Sequence, residues 1–427
     1  MTILIKNGHI VDPDTKTDEV ADIFLSAGKI TEVGKQLKHT ADKVIDAKGC
    51  YVMPGFIDLH VHLRDPGFEH KETIETGMAA AARGGYTTIL AMPNTKPVVD
   101  DADVVKYVHK KAESEGTARV LQIGAVTRGQ KGEELADIRG MVEAGSPAIS
   151  EDGKSVMNTK LYREGMRVAA ECSIPVFAHC EDIRLAQGGA VNEDARAKEL
   201  GLPGIPNIAE DLIVARDILM AKEMGTQLHL CHCSTKDSVR MVELAKKEGL
   251  PVTAEVCPHH FTLTSEDIVP GNTNYKMNPP LRTAEDVEAL KKGLKKNIMD
   301  VIATDHAPHT REEKNTTMQE APFGIVGLET AASLTYTELV KKKYLTVMQM
   351  AEKMSLNPAR IIGLDRGSLA VGKYADVVIF DPKATYTVHA KDFASKGRNT
   401  PFDGREVCGK VKMTIYNGNI VYDSETE

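Results

Sequence analysis

The chain has 427 residues, with 42% apolar and 27% charged side chains and a formal net charge of −8. That is enough for one large domain plus a smaller one, and an acidic balance without a dense Lys or Arg run gives no electrostatic basis for binding nucleic acid or anionic membrane. No apolar run approaches the roughly 20 residues of a bilayer span. The start, Met-Thr-Ile-Leu-Ile-Lys, lacks a signal-peptide core, so the seven scattered cysteines read as thiols of a reduced, cytoplasmic protein acting on small molecules.

Residues 1–52 alternate short β-like runs with turns, at 3–11, 22–33 and 43–46, and Asn7-Gly8 is a hairpin signal. The pattern returns at the far end over 413–421, preceded by another β-like run at 372–381. Residues 1–52 and 366–427 are therefore predicted to form two parts of one small β-sandwich domain. Between them, over 53–365, apolar β runs alternate with helix-length segments, which marks a parallel α/β architecture. The runs 52–62, 86–94, 120–126, 147–150, 174–178, 227–232, 251–256 and 300–305 make eight strands, and eight strands with intervening helices predict a (β/α)8 barrel.

The first strand runs into Asp58-Leu-His-Val-His-Leu-Arg-Asp-Pro66. Strand alternation predicts that Asp58, His60 and His62 share a face. A bare His-x-His pair is equally at home hydrogen-bonded in a sheet. What argues for a site is the joint pattern: His60, His62, Asn94, Asp152, His179, His232 and Asp305 all fall at the C-terminal ends of predicted strands, where barrel enzymes carry their chemistry.

Four imidazoles and two carboxylates form a zinc-type ligand set, and six ligands exceed the needs of one ion. Two zinc ions fit if Asp152 bridges them; a single ion is the alternative. Zinc lowers the pKa of water from ~15.7 to about 7, so hydroxide is available at neutral pH, and Asp305 is placed to take its proton and pass it to a leaving nitrogen. Arg64 and Asn94 suit a substrate carboxylate, although a surface ion pair is the competing role for Arg64. His309 lies in the loop after the last strand and can face substrate. Alternation assigns His306 to packing, sets His229 off the face of His232, and leaves His259 and His260 without a role. Cys231 and Cys233, flanking His232, read as buried thiols. The segment 311–326, ending near Phe323-Gly324, reads either as a lid or as a surface loop.

Four motifs carry a resemblance: Asp58-x-His-x-His-x-Arg-x-Pro66, Met92-Pro-Asn-Thr95, His179-Cys-Glu-Asp182 and Ala303-Thr-Asp-His-Ala-Pro-His309 with Lys314. Together they resemble the dihydroorotases of the amidohydrolase superfamily, in particular the long bacterial type I group, over nearly the whole chain. The resemblance implies reversible cyclisation of N-carbamoyl-L-aspartate to L-dihydroorotate in pyrimidine synthesis. It implies that His60 and His62 bind one zinc, His179 and His232 the other, that Asp152 bridges, and that Asp305 is both ligand and proton shuttle. Arg64, Asn94 and His309 would hold the substrate carboxylate, with Asn278 and the backbone at Phe323 and Gly324 closing around the ring. Many relatives bridge their metals with a carboxylated lysine; the matching position here is Asp152, with Lys154 and Lys160 nearby. The alternatives are an allantoinase or dihydropyrimidinase, or a non-catalytic scaffold for aspartate carbamoyltransferase. Resemblance also implies a homodimer and, in some relatives, association with that carbamoyltransferase.

Overall fold

A computed structural model describes residues 1–426. The terminal segments build an eight-stranded sheet in the order Asn419–Asp423, Glu406–Tyr416, Val377–Thr387, Tyr51–Pro54, Ile3–Asp12, Thr17–Ser26, Lys29–Gly34, with Lys43–Asp46 also on Ile3–Asp12. It wraps a core of its own, in which Ile3, Ile5, Ile23 and Leu25 from the N-terminal strands meet Val377, Ile379 and Ile415. Asn7-Gly8 does not turn the chain. Asn7 takes φ 59° inside the first strand, and the register shift between Ile5 and Gly8 makes this a bulge. The matching Asn417-Gly418, at φ 47° and 74°, does form the tight hairpin turn between the last two strands.

The central segment is a barrel of parallel strands. Phe56–Val61, Tyr86–Ala91 and Arg119–Gln122 pair as one group; Gly124–Ala125, Ile149–Ser150, Val176–Ala178, Leu228–Leu230, Val252–Val256 and Val301–Ile302 pair as another. The third strand continues across a break at Ile123, so the strands number eight as the sequence predicts. The ring closes where Val61 bridges His306 and the His62 N–H donates to the His306 carbonyl at 2.8 Å. Ile57, Leu59, Leu90, Met92, Ile123, Ala148, Phe177, Cys231, Val301 and Ala303 fill the interior with apolar atoms. Helices cover the outside, as in Ile74–Arg83, which Thr73 caps through a capping box and which buries Ile74, Met78 and three alanines. No helix among the described residues is long and apolar enough to cross a membrane.

Candidate metal-dependent active site

The polar strand ends meet at one end of the barrel, in a cavity of about 190 Å³ lined by His62, Arg64, Asn94, Asp152, Gly153, His179, His232, Asn278, Asp305, Ala307, His309, Phe323 and Gly324. Every residue predicted for the site lines it except His60, which lies beneath it, fully buried. Asp152 is central. Its Oδ1 is 3.3 Å from His60 Nε2 and 3.5 Å from both His179 Nδ1 and His232 Nε2, while its Oδ2 is 3.4 Å from His62 Nε2. Asp305 Oδ1 lies 3.1 Å from His62 Nε2 and 3.5 Å from His60 Nε2. One carboxylate thus faces four imidazoles and the other faces two of them.

Hydrogen bonds on the far side of the rings decide which nitrogen faces the centre. His60 donates from Nδ1 to Glu255 Oε1 at 2.7 Å and His62 from Nδ1 to Asn94 Oδ1 at 2.8 Å, so each turns Nε2 inward with its lone pair available. Glu255 also accepts from His229 Nε2 at 3.0 Å and from the backbone N–H of His232 at 3.1 Å. His179 turns Nε2 toward Glu181, 3.4 Å away, and Glu181 accepts from Asn278 Nδ2 at 2.9 Å. Glu255 and Glu181 were missed in the sequence. The available signal for Glu255 was a carboxylate in the otherwise buried strand Val252–Val256.

Three site residues adopt left-handed backbone that side-chain-bearing residues rarely take: Arg64 at φ 63°, His232 at 32° and Asp305 at 48°. At His232 this reorients the chain. Leu228 and Leu230 pack outward while His229 and Cys231 lie on the barrel side, against Phe177. His229 therefore points inward onto Glu255, and the turn at His232 brings that ring to the same centre, contrary to the simple alternation read from sequence. Asp58 differs from expectation too. The register shift between Asp58 and Val61 breaks the alternation, and Asp58 Oδ1 accepts from the backbone of His60 and Thr304, at 3.0 and 3.1 Å, outside the cavity.

His306 packs as predicted, its Nε2 3.3 Å from Glu72 and its Nδ1 accepting from the Gly327 N–H at 3.2 Å. His259 and His260 are buried in the short helix Pro258–Thr262, where His260 Nε2 donates to the Pro279 carbonyl at 2.9 Å. Cys231 and Cys233 are buried thiols. Lys154 turns its ammonium to the Gln130 carbonyl and Lys160 is exposed, so neither enters the cavity. The segment 311–326 folds over the mouth, with Met318, Ala321, Ile325 and Val326 buried. Lys314 Nζ ties it down through the carbonyls of Thr273, Lys276 and Pro322.

The residues fit a divalent metal. His60 Nε2 is a buried nitrogen with no hydrogen-bond partner, aimed at two carboxylates. Burial opposes a charge on His60, but Asp152, Glu255 and Asp305 outweigh it and push the imidazole well above its usual range. Burial likewise opposes ionisation of Asp152 and Asp305, and the surrounding histidines, His60 first, hold both well below the usual carboxylate range. A centre that draws protons this strongly draws a cation. His60, His62 and Asp305, and His60, Asp152 and His232, each bring their ligand atoms within 4.8 Å of one another. Imidazole and carboxylate are the donors that zinc-type ions select.

Fold and site together define a metal-dependent amidohydrolase: an α/β barrel with a terminal β-sandwich and a buried His/Asp cluster at the barrel mouth. A family model described as Dihydro-orotase-like matches residues 49–238, and one described as Amidohydrolase family matches 284–422. A dihydroorotase of Pelotomaculum thermopropionicum is 50% identical over 99% of this chain and 98% of its own. One of Acetivibrio thermocellus is 47% identical over 98% of each. Among solved structures, an L-hydantoinase (dihydropyrimidinase) of Arthrobacter aurescens superposes with a TM-score of 0.87 at 27% identity, covering 99% of this chain and 96% of that one. The chain belongs to the dihydroorotase family.

Proposed function

We propose that this protein interconverts N-carbamoyl-L-aspartate and L-dihydroorotate with two zinc ions, which His60, His62, His179, His232, Asp152 and Asp305 would hold. Metal bound there supplies a Lewis acid and brings the pKa of water from ~15.7 to about 7. Asp305 does the proton work. In ring opening its carboxylate accepts a proton from the attacking water and returns it to the amide nitrogen released from the ring; in ring closure the same proton travels back. The surrounding histidines, His60 first, favour the ionised form of the Asp305 carboxyl.

The observation that carries the substrate reading is Arg64. Its guanidinium lines the cavity, donates from Nε to the Pro308 carbonyl at 3.2 Å, and lies 3.4 Å from His309 Nε2, yet no carboxylate among the described residues is within ion-pair distance. Burial lowers its pKa only to about 10, so it is charged at neutral pH. A desolvated cation without an anionic partner is costly, and a substrate carboxylate removes that cost. Asn94 spends its oxygen on His62 and keeps Nδ2 for the ligand. His309 stays neutral, since burial and the nearby Arg64 and Lys71 lower its pKa to about 3. Asn278 and the backbone of Phe323 and Gly324 complete the wall around the ring. A neutral dihydropyrimidine, the substrate class suggested by the hydantoinase neighbours, leaves Arg64 unanswered.

The test is turnover of L-dihydroorotate and N-carbamoyl-L-aspartate by purified protein after chelation and again after zinc is restored. Activity in both directions that disappears and returns is expected. Metal-loaded protein that turns over neither, or that opens dihydrouracil instead, contradicts the proposal. Family resemblance further supports a cytoplasmic homodimer able to bind aspartate carbamoyltransferase. Sedimentation showing a monomer, and no co-migration with that enzyme, would remove those two points.

A further inference from the structure

Between the strands Val377–Thr387 and Glu406–Tyr416 the chain leaves the terminal sheet and crosses the barrel mouth as a strap, residues 388–405. Two buried carboxylates seat it. Glu329 accepts from the N–H groups of Ala394 and Ser395, at 3.0 and 3.1 Å. Glu72 accepts from the Ser395 hydroxyl and from the Lys396 N–H at 3.1 Å, on the same carboxylate that meets His306.

The strap then delivers Asn399, 3% exposed, between two loops of the mouth. Its Oδ1 accepts from the His309 N–H at 3.1 Å. Its Nδ2 donates to the carbonyls of Ala307 at 2.9 Å and Gly324 at 3.0 Å. Its own carbonyl accepts from the Val326 N–H at 2.9 Å. One amide therefore satisfies a donor and two acceptors, which no other side chain of that reach supplies. Ala307, His309 and Gly324 all line the cavity, and none of them is among the residues facing the metal centre.

We propose that Asn399 is a positioning residue for substrate: it locks the loop carrying His309 to the loop carrying Gly324, so that the carboxylate-binding end of the pocket is formed before substrate arrives. The inference rests on the dihydroorotase reading and deepens it, assigning the fit of the substrate carboxylate to a residue that touches neither substrate nor metal. Loss of the amide leaves three buried backbone groups to find new partners, and the loops separate at the end of the cavity remote from the histidine cluster. Recognition suffers, and proton transfer at Asp305 does not.

The experiment compares wild type with Asn399→Ala and Asn399→Asp, zinc-loaded, measuring kcat and KM for dihydroorotate, bound metal, and binding of orotate against uracil, a ring pair that differs in the carboxylate. The expected result for Asn399→Ala is a KM raised about tenfold or more with kcat within about threefold, unchanged metal content, and a reduced orotate preference. Asn399→Asp should be worse, because a carboxylate would face two carbonyls. Should either variant fail to fold, Gly397→Ala tests the same idea with the Asn399 amide still present: its Cβ would meet Val326 Cγ1 at 2.6 Å, Pro308 Cβ at 2.8 Å and Asn399 Oδ1 at 2.9 Å, lifting the strap and displacing that oxygen. The same KM signature, smaller, is expected. Folded variants with unchanged KM, or with orotate and uracil weakened alike, overturn the inference. An inactive wild type would count against the dihydroorotase reading itself.

Discussion

The same eight strands are built in two ways along their length. In the barrel interior Ile57, Leu59, Leu90, Phe177 and Val301 interlock as apolar atoms, all essentially inaccessible to solvent. A few residues further on, the strand ends carry four histidines and two aspartates, and two of these, His232 and Asp305, sit on left-handed backbone. The interior gains stability from burial and close packing. The mouth gives stability up, with desolvated imidazoles, buried carboxylates and a guanidinium without an anionic partner held together because the plug beneath fixes where each strand ends. Rigidity below is what makes an unfavourable constellation above affordable.

The comparison can be broken from below first. Phe177→Ala removes a fully buried ring from the plug and is expected to cost about 3–5 kcal/mol of stability, read by denaturant unfolding, with kcat of the metal-loaded protein within about tenfold. Collapse of kcat at unchanged stability would show that plug and mouth are not separable. Glu255→Gln sharpens the boundary between them, since Glu255 holds His60, His229 and the His232 backbone at once. A loss of roughly 10–100-fold in metal affinity is expected by competition titration, and unchanged affinity would mean the ring orientations are set elsewhere.

A smaller effect lies at the strap. Burial raises the Glu329 carboxyl to about 7, against the N–H groups of Ala394 and Ser395 that favour its ionisation. Its folded pKa lies above its unfolded value, so the folded state takes up a proton that the unfolded state releases. Stability from this group is therefore full at low pH and falls as pH rises toward 7. Between about pH 5 and 8 the wild type should lose on the order of 2 kcal/mol more than Glu329→Gln. Parallel unfolding profiles for the two would contradict this.

How much of this was legible in the sequence differs between the same two levels. Strand number and the polar strand ends were readable, because period-two burial and helix-length spacing are local properties. Side-chain direction failed wherever the backbone departs from the regular strand: the register shift parts Asp58 from the face of His60 and His62, and the turn at His232 brings that ring to the centre while His229 already faces inward. Asn7-Gly8 and Asn417-Gly418 share a dipeptide, yet one makes a bulge and the other a hairpin, since the strand that pairs across each position is chosen by tertiary contacts. The strap was invisible. Residues 388–405 have no periodicity, and the value of Asn399 depends on two loops that lie about 75 and 90 positions earlier.

Asp305→Asn, zinc-loaded, gives the most direct measurement of the central claim. The amide keeps the shape beside His62 Nε2, 3.1 Å from the carboxylate in the native protein, but cannot take a proton as the carboxylate does. Turnover in both directions should fall by about a thousandfold or more, as for loss of a group that serves as both acid and base, while the metal count stays near that of the wild type. Activity within about tenfold of wild type at full metal occupancy would contradict the assignment of Asp305 as the group that moves the proton.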